Sequence, residues 1–144
     1  MNYHIEPYTE KDRADLLIVW EKSVLATHTF LKPQDFEEIR NFLYSMDFSQ
    51  FEVHCLWDSK SLIGFIGIDG AKIEMLFLHP DYIGQGLGKR LLQFACSSLN
   101  ATCVDVNEQN KNAYEFYLNF GFKTFERTEK DDLGKDYPIL RMKL

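Results

Sequence analysis

Three glycines at alternate positions, Gly84, Gly86 and Gly88, separate an apolar run, Ile73-Glu74-Met75-Leu76-Phe77-Leu78, from an amphipathic one that begins at Leu87. Residues without a Cβ let the backbone turn sharply, and a helix that starts there offers free N–H groups at its positive end. Such a strand, turn and helix suits a phosphate or pyrophosphate. Lys89 and Arg90 add positive charge, although an exposed helix surface carries such residues without any ligand. Further along, Ala113, Phe116, Tyr117 and Phe120 share one helix face, which makes the Tyr117 hydroxyl the polar tip of an apolar stripe. By spacing alone, a core tyrosine bonded to a carbonyl is the better reading. Two acids, Glu74 and Asp105, sit on apolar strands. Alternation sets Glu74 on the face of Leu76 and Leu78, and Asp105 on the face of Cys103 and Asn107. Each is a candidate base or a solvated strand residue.

Spacing separates the phosphate-binding readings. A nucleoside-triphosphate loop needs Gly-Lys followed by Ser or Thr, but Gly88-Lys89 is followed by Arg90. A dinucleotide fingerprint needs a third glycine three residues after the second. Counting from Gly86 and Gly88 gives Leu91, and counting from Gly84 and Gly86 gives Lys89. Asp105 falls near the acidic position of that fingerprint, but inside a strand, so a nicotinamide or nucleotide protein stands as a rival only.

Hydrophobic periodicity supplies the scaffold for these residues. Tyr3 to Tyr8 reads as a short strand. Thr9 with Asp12 marks a helix start, and Leu16, Leu17, Trp20 and Val24 recur at helical spacing as far as Thr27. Pro33 opens a second helix, whose stripe of Phe36, Ile39, Phe42, Leu43 and Met46 carries it to the region of Phe48. From Phe51 the period changes. Glu52 to Asp58, Leu62 to Asp69 and Lys72 to Leu78 predict an antiparallel meander, punctuated by Ser59-Lys60 and Gly70. A helix over Leu87 to Ser98, a strand over Thr102 to Asn107 and a helix over Asn110 to Asn119 come next. Gly121-Phe122 opens another strand, and Pro138 to Leu144 closes the chain. The order β-α-α-β-β-β-α-β-α-β-β predicts an α+β class, a mixed sheet with helices packed on it.

The 144 residues suit one domain, and no linker-like stretch divides residues 1–144. Hydrophobic residues at 45% and aromatics at 15% provide enough apolar side chain for independent folding. A net charge of -6 argues against nucleic acid and against an anionic membrane as partners. The first residues carry no basic segment leading into an apolar one, and the longest apolar run, Leu62 to Ile68, is too short to cross a bilayer. The expected compartment is therefore the cytoplasm. Cys55, Cys96 and Cys103 are odd in number and lack a Cys-x-x-Cys pair, so three reduced, buried thiols are expected. His4, His28, His54 and His79 lack metal-ligand spacing, and no metal is expected. Asn100-Ala101-Thr102 matches a glycosylation acceptor by chance.

The glycine turn resembles that of the GNAT superfamily of N-acetyltransferases, where Gln or Arg-x-x-Gly-x-Gly or Ala grips the pyrophosphate of acetyl-coenzyme A. Gly86-Leu87-Gly88 match, whereas Ile83 stands where the family usually has Gln or Arg. The likeness extends back through Leu76-Phe77-Leu78 and His79-Pro80-Asp81-Tyr82. It extends forward to Asn110-Lys111-Asn112-Ala113-Tyr114-Glu115-Phe116-Tyr117-Leu118-Asn119-Phe120-Gly121-Phe122, similar to the family's Asn-x-x-Ala-x-x-x-Tyr-x-x-x-Gly-Phe at every fixed position. Ala26-Thr27-His28, Asn107-Glu108-Gln109-Asn110 and Asp131-Asp132-Leu133-Gly134 further resemble a bacterial subgroup, the YjaB-like acetyltransferases. Two motifs in the right order, with the order of elements, make the resemblance cover most of the chain. It implies a GNAT-type acyl-coenzyme A N-acyltransferase fold, with a mixed, mostly antiparallel sheet of about seven strands flanked by about four helices.

The resemblance implies acetyl-coenzyme A as cosubstrate. The acceptor would be a primary amine, on a small molecule or a peptide, attacking directly in a ternary complex; no cysteine is placed to act as nucleophile. The pyrophosphate would lie on Gly84, Gln85, Gly86, Leu87, Gly88 and Lys89, with the pantetheine arm along Leu76, Phe77 and Leu78. An N–H in that strand would polarise the carbonyl where the family's sheet splays. Asn110 would bond the cofactor, or cap its helix, or both. Tyr117 would serve the departing sulfur; a phenol of pKa about 10 against a thiol of about 8.5 makes full proton transfer modestly uphill in water. An amine of pKa about 10.4 must lose a proton before attack, with Glu74 as first candidate base and Asp105 as second. Trp20, Ser23, His28 and Phe30 would roof the acceptor pocket. The chain would act as a monomer or homodimer. The alternative is a catalytically weak acyl-coenzyme A sensor, for which the Ile83 departure leaves room.

Overall fold

Local signals set most boundaries in the computed structural model, which describes residues 2–144. The strand β1 (Tyr3–Pro7) is followed by Thr9, whose amide donates to the Asp12 carboxylate at 3.0 Å and so starts a helical turn. That turn runs into α1 (Arg13–Thr27), and Pro33 then begins α2 (Pro33–Tyr44). The end of α2 falls short of the Phe48 expected from the stripe. Arg13 donates to the carbonyls of Tyr44 and Met46 at 2.7 and 2.8 Å, holding the chain as it leaves the helix. A separate turn, Phe48–Gln50, is capped by Asp47, which accepts from the Ser49 amide at 3.0 Å. The expected stripe is also too wide: Leu43 is buried, but Phe42 is 66% exposed.

The rest of the chain gives β2 (Glu52–Asp58), β3 (Ser61–Asp69), β4 (Lys72–Leu78), α3 (Leu87–Ser98), β5 (Cys103–Asn107), α4 (Lys111–Phe120), β6 (Lys123–Thr128) and β7 (Ile139–Lys143). The seven strands form one sheet in the order β1-β2-β3-β4-β5-β7-β6. Every pairing is antiparallel except that of β4 with β5, so the class is α+β with a mixed, mostly antiparallel sheet. Two apolar clusters cover its two faces. Leu56, Ile66, Leu91, Leu92, Val104 and Phe122 pack with α3 and α4 on one side. Leu16, Trp20, Leu43, Phe65 and Met75 pack with α1 and α2 on the other. Apolar area removed from water on both faces is the main stabilising contribution to this layering. No helix of the described residues is long and apolar enough to cross a membrane.

Two irregularities distort β4. Its parallel pairing with β5 is confined to Lys72↔Cys103 and Ile73↔Val104, after which the strands part. Its pairing with β3 skips a residue: Gly67 faces Met75 and Ile68 faces Ile73, which leaves Glu74 as the extra residue of a bulge. The bulge breaks strict alternation. Ile73 packs in the α3–α4 cluster with Leu76 and Leu78, while Met75 and Phe77 pack in the other cluster. The residue displaced from simple alternation is Ile73, which lies on the side opposite Met75 and Phe77. The cysteine expectation also needs correction: Cys55 is buried, but Cys96 and Cys103 are half-buried.

Candidate active site

The glycine turn is built by backbone torsion. Gly84 and Gly86 have φ of 85° and 80°, the left-handed region that disfavours a side chain, while an added Cβ would meet nothing within 4 Å at either position. Gly86 is the residue before α3, and no side chain caps the helix there, so the first-turn amides of Leu87, Gly88 and Lys89 are free for a ligand. Gly88 has a different role: a Cβ there would touch the Phe116 ring at 3.5 Å, so its bareness lets α3 lie close to α4. Gln85 accepts from the Tyr3 hydroxyl at 3.2 Å, which ties the turn to β1. Ile83 is 52% exposed and lines the groove beside the turn.

From Gly88 the groove, about 240 Å³, runs past Phe116 to Leu76, Phe77, Leu78, Asn110 and Tyr117. It meets a second hollow of about 200 Å³, opened where β4 and β5 part and lined by Glu74, Leu76, Phe77, Asp105, Asn107 and Tyr117 among others. Asn110 borders both spaces and also caps α4, its side chain accepting from the Ala113 amide at 3.1 Å. Tyr117 borders both as well. Its ring packs edge-on against Phe116 and Phe122, with centroids 5.1 and 5.6 Å away. Burial, with a smaller contribution from the Cys96 thiol, drives its pKa above the ordinary tyrosine value, so the phenol keeps its proton throughout the physiological range.

The two candidate carboxylates differ in their partners. Asp105 is held by Lys72 at 2.7 Å and by Arg141 at 2.6 Å, and Arg141 also reaches Asp132 at 3.0 Å. Glu74 has one ion pair, with Lys72 at 3.5 Å. Burial pulls the Lys72 pKa down, but the bonds and charges of Asp105 and Glu74 outweigh it and raise the value, so Lys72 stays cationic. Asp105 thus pairs with two cations, and Glu74 with one.

Among the expected roof residues, His28 lines both spaces, and Ser23 borders the groove. Burial lowers the His28 pKa to about 4, so the ring is neutral. Phe30 stacks obliquely on His28 at 5.4 Å and lies 6.0 Å from Tyr137. Trp20 is elsewhere: 3% exposed and stacked on Phe36 at 5.6 Å, it belongs to the core under α2 and lines neither space. The sequence reading missed Lys72, Arg141 and Tyr137. Arg141 faces Asp105 in the β5–β7 register, a signal that exists only once the pairing is known. Tyr137 donates to the buried Asp35 and, through its hydroxyl oxygen, accepts from the Lys32 amide at 3.0 Å, which fastens the β6–β7 loop to α2. Among the described residues, no group of three or more His, Cys, Asp or Glu gathers as a metal site would.

A seven-stranded mixed sheet whose parallel pair opens into a cleft, with a glycine turn at one end and a phenol on the wall, is the architecture expected of the GNAT-type fold. Residues 19–143 match the family model for the Acetyltransferase (GNAT) domain, and the chain belongs to the GNAT family of acetyltransferases. It is 35% identical over 147 aligned positions to the peptidyl-lysine N-acetyltransferase YjaB of Salmonella typhimurium, covering 99% of this chain and 98% of that one. The solution structure of apo-form YjaB from Escherichia coli superposes with a TM-score of 0.90 at 33% identity, over 99% of this chain and 97% of that one. The PaiA N-acetyltransferase of Thermoplasma acidophilum, in complex with coenzyme A, shares the fold with a TM-score of 0.79 at 22% identity, over the full length of both chains.

Proposed function

We propose that the protein transfers the acetyl group of acetyl-coenzyme A to the ε-amine of a lysine in a peptide or protein, by direct attack within a ternary complex. The observation that carries this reading is the continuity of the groove from the uncapped α3 amides to the cleft where Tyr117 and Glu74 line the same hollow. The kinship with a peptidyl-lysine N-acetyltransferase supports the acceptor.

The residues present fit the cosubstrate. Two left-handed glycines and an uncapped helix start accept a diphosphate through the amides of Gly84 to Lys89, with Lys89 and Arg90 nearby as cations. Acetyl-coenzyme A supplies an activated thioester; the chain supplies position and protons. Where β4 leaves β5, backbone N–H groups of Leu76 to Leu78 lose their strand partner on that side and are free to meet a carbonyl oxygen. Glu74, held by a single ion pair, takes the proton of the arriving ammonium. Tyr117, protonated because it is buried, donates a hydrogen bond to the sulfur as it leaves. Asp105, clamped between Lys72 and Arg141, keeps the far wall of the cleft rigid.

Steady-state kinetics with a lysine peptide test the ternary complex. Intersecting double-reciprocal lines are expected when both substrates are varied. Parallel lines, the pattern of a covalent acetyl-enzyme, would refute direct attack.

A further inference from the structure

His28, the last cap of α1, touches three spaces at once: the cleft, the groove toward Gly88, and a hollow between α1 and α2 lined by Val24, Leu31 and Phe36. Its hydrogen bonds fix which ring nitrogen carries the proton. Thr27 Oγ1 lies 2.7 Å from the Ser23 carbonyl oxygen. A carbonyl only accepts, so the single hydroxyl proton is committed to that bond. The same Oγ1 lies 2.9 Å from His28 Nδ1. With its proton engaged, the hydroxyl meets Nδ1 as an acceptor, and Nδ1 must therefore be the protonated nitrogen. In a neutral ring Nε2 is then a bare lone pair. Among the described residues no group is seen to bond to Nε2, and it is not among the fully buried, unpaired atoms, while the ring itself lines the cleft and the groove.

We propose that His28 Nε2 receives an N–H of the neutral acceptor amine and turns that nitrogen's lone pair toward the thioester, and that Thr27 is the positioning residue that sets the tautomer. The proposal rests on the lysine-acceptor reading above. The surroundings suit it. Burial keeps the ring uncharged down to about pH 4, so it accepts hydrogen bonds at neutral pH and presents no positive charge to an incoming ammonium. Phe30 and Phe77 flank the ring at 5.4 and 6.4 Å, giving apolar surface to the methylene stem of a lysine. Glu74, Asp105, Asn110 and Tyr117 line the same hollow, so the proton-accepting carboxylate and the orienting imidazole address one space.

Nitrogen NMR of the labelled full-length chain reads the tautomer without any variant. Wild-type His28 should show a protonated Nδ1 and a bare Nε2. Thr27→Val, which keeps the shape and removes the hydroxyl, should shift the ring toward the Nε2–H form, and Thr27→Ser should preserve the wild-type state. In kinetics, Thr27→Val should raise the KM for a lysine peptide roughly three- to tenfold, the factor of one neutral hydrogen bond. The KM for acetyl-coenzyme A should stay unchanged, and Thr27→Ser should restore the peptide value. A protonated Nε2 in the wild type, or an unchanged peptide KM in Thr27→Val, would overturn the proposal. Wild-type protein that acetylates no peptide lysine would remove the acceptor role together with the reading beneath it, while the ring spectrum would still decide whether Thr27 sets the tautomer.

Discussion

Tyr117 shows how one residue serves packing and chemistry together. Its ring is part of the α3–α4 cluster and its environment holds the phenol protonated. Replacing it with phenylalanine keeps the packing and removes only the hydroxyl. Tyr117→Phe should lower kcat roughly a hundredfold, at the low end of acid catalysis, with acetyl-coenzyme A affinity nearly intact. Calorimetric titration and initial rates check both halves, and an unchanged kcat would remove Tyr117 from the mechanism. The helix stripe placed Tyr117 correctly in the interior, because Ala113, Phe116, Tyr117 and Phe120 all pack on the same cluster. Glu74 was harder. Its place in β4 was readable, but the bulge at this position was not, because it leaves no mark in the local residue pattern. Helical spacing placed Trp20 facing inward, as it is, while the resemblance set it over the acceptor pocket; it packs on Phe36 in the cluster under α2 instead.

At the scale of elements, the glycine turn, α3 and α4 lie almost where spacing put them, since Gly86 and Asn110 mark the two helix starts chemically. The parting of β4 and β5 was not legible. It depends on which strands neighbour each other, and α3 separates these two in sequence. The contact between the β6–β7 loop and α2 was equally hidden, because Asp35 and Tyr137 are remote in the chain. That contact carries a pH signature. Hydrogen bonds from Tyr137 and Lys135 hold the Asp35 carboxyl below its ordinary range. A depressed carboxyl pKa stabilises the fold above the unfolded value, and that contribution is lost as the pH falls through the folded value. The melting temperature of wild type should therefore exceed that of Asp35→Asn by a steady margin from neutral pH down to about pH 5, and the margin should shrink below about pH 4. A margin that stayed constant through that acid range would contradict the assigned bonding.

At the scale of the whole molecule, the sheet brings distant segments to one cleft. The turn before α3, the parted strands β4 and β5, the end of α1 and the face of α4 each contribute one wall. The overall class and the order of elements along the chain were accessible because periodicity changes sharply at Phe51 and because both motifs lie in the second half of the chain. The roles of individual walls became visible only with pairing and distance. A protein that merely held acyl-coenzyme A as a sensor would share the turn and the groove, so binding alone does not separate it from an enzyme. The decisive measurement is mass spectrometry of a lysine peptide after incubation with the protein and acetyl-coenzyme A. The account predicts acetylation at the lysine ε-amine with one free coenzyme A released per acetyl group transferred. Tight binding of acetyl-coenzyme A with an unmodified peptide and an intact thioester would contradict it.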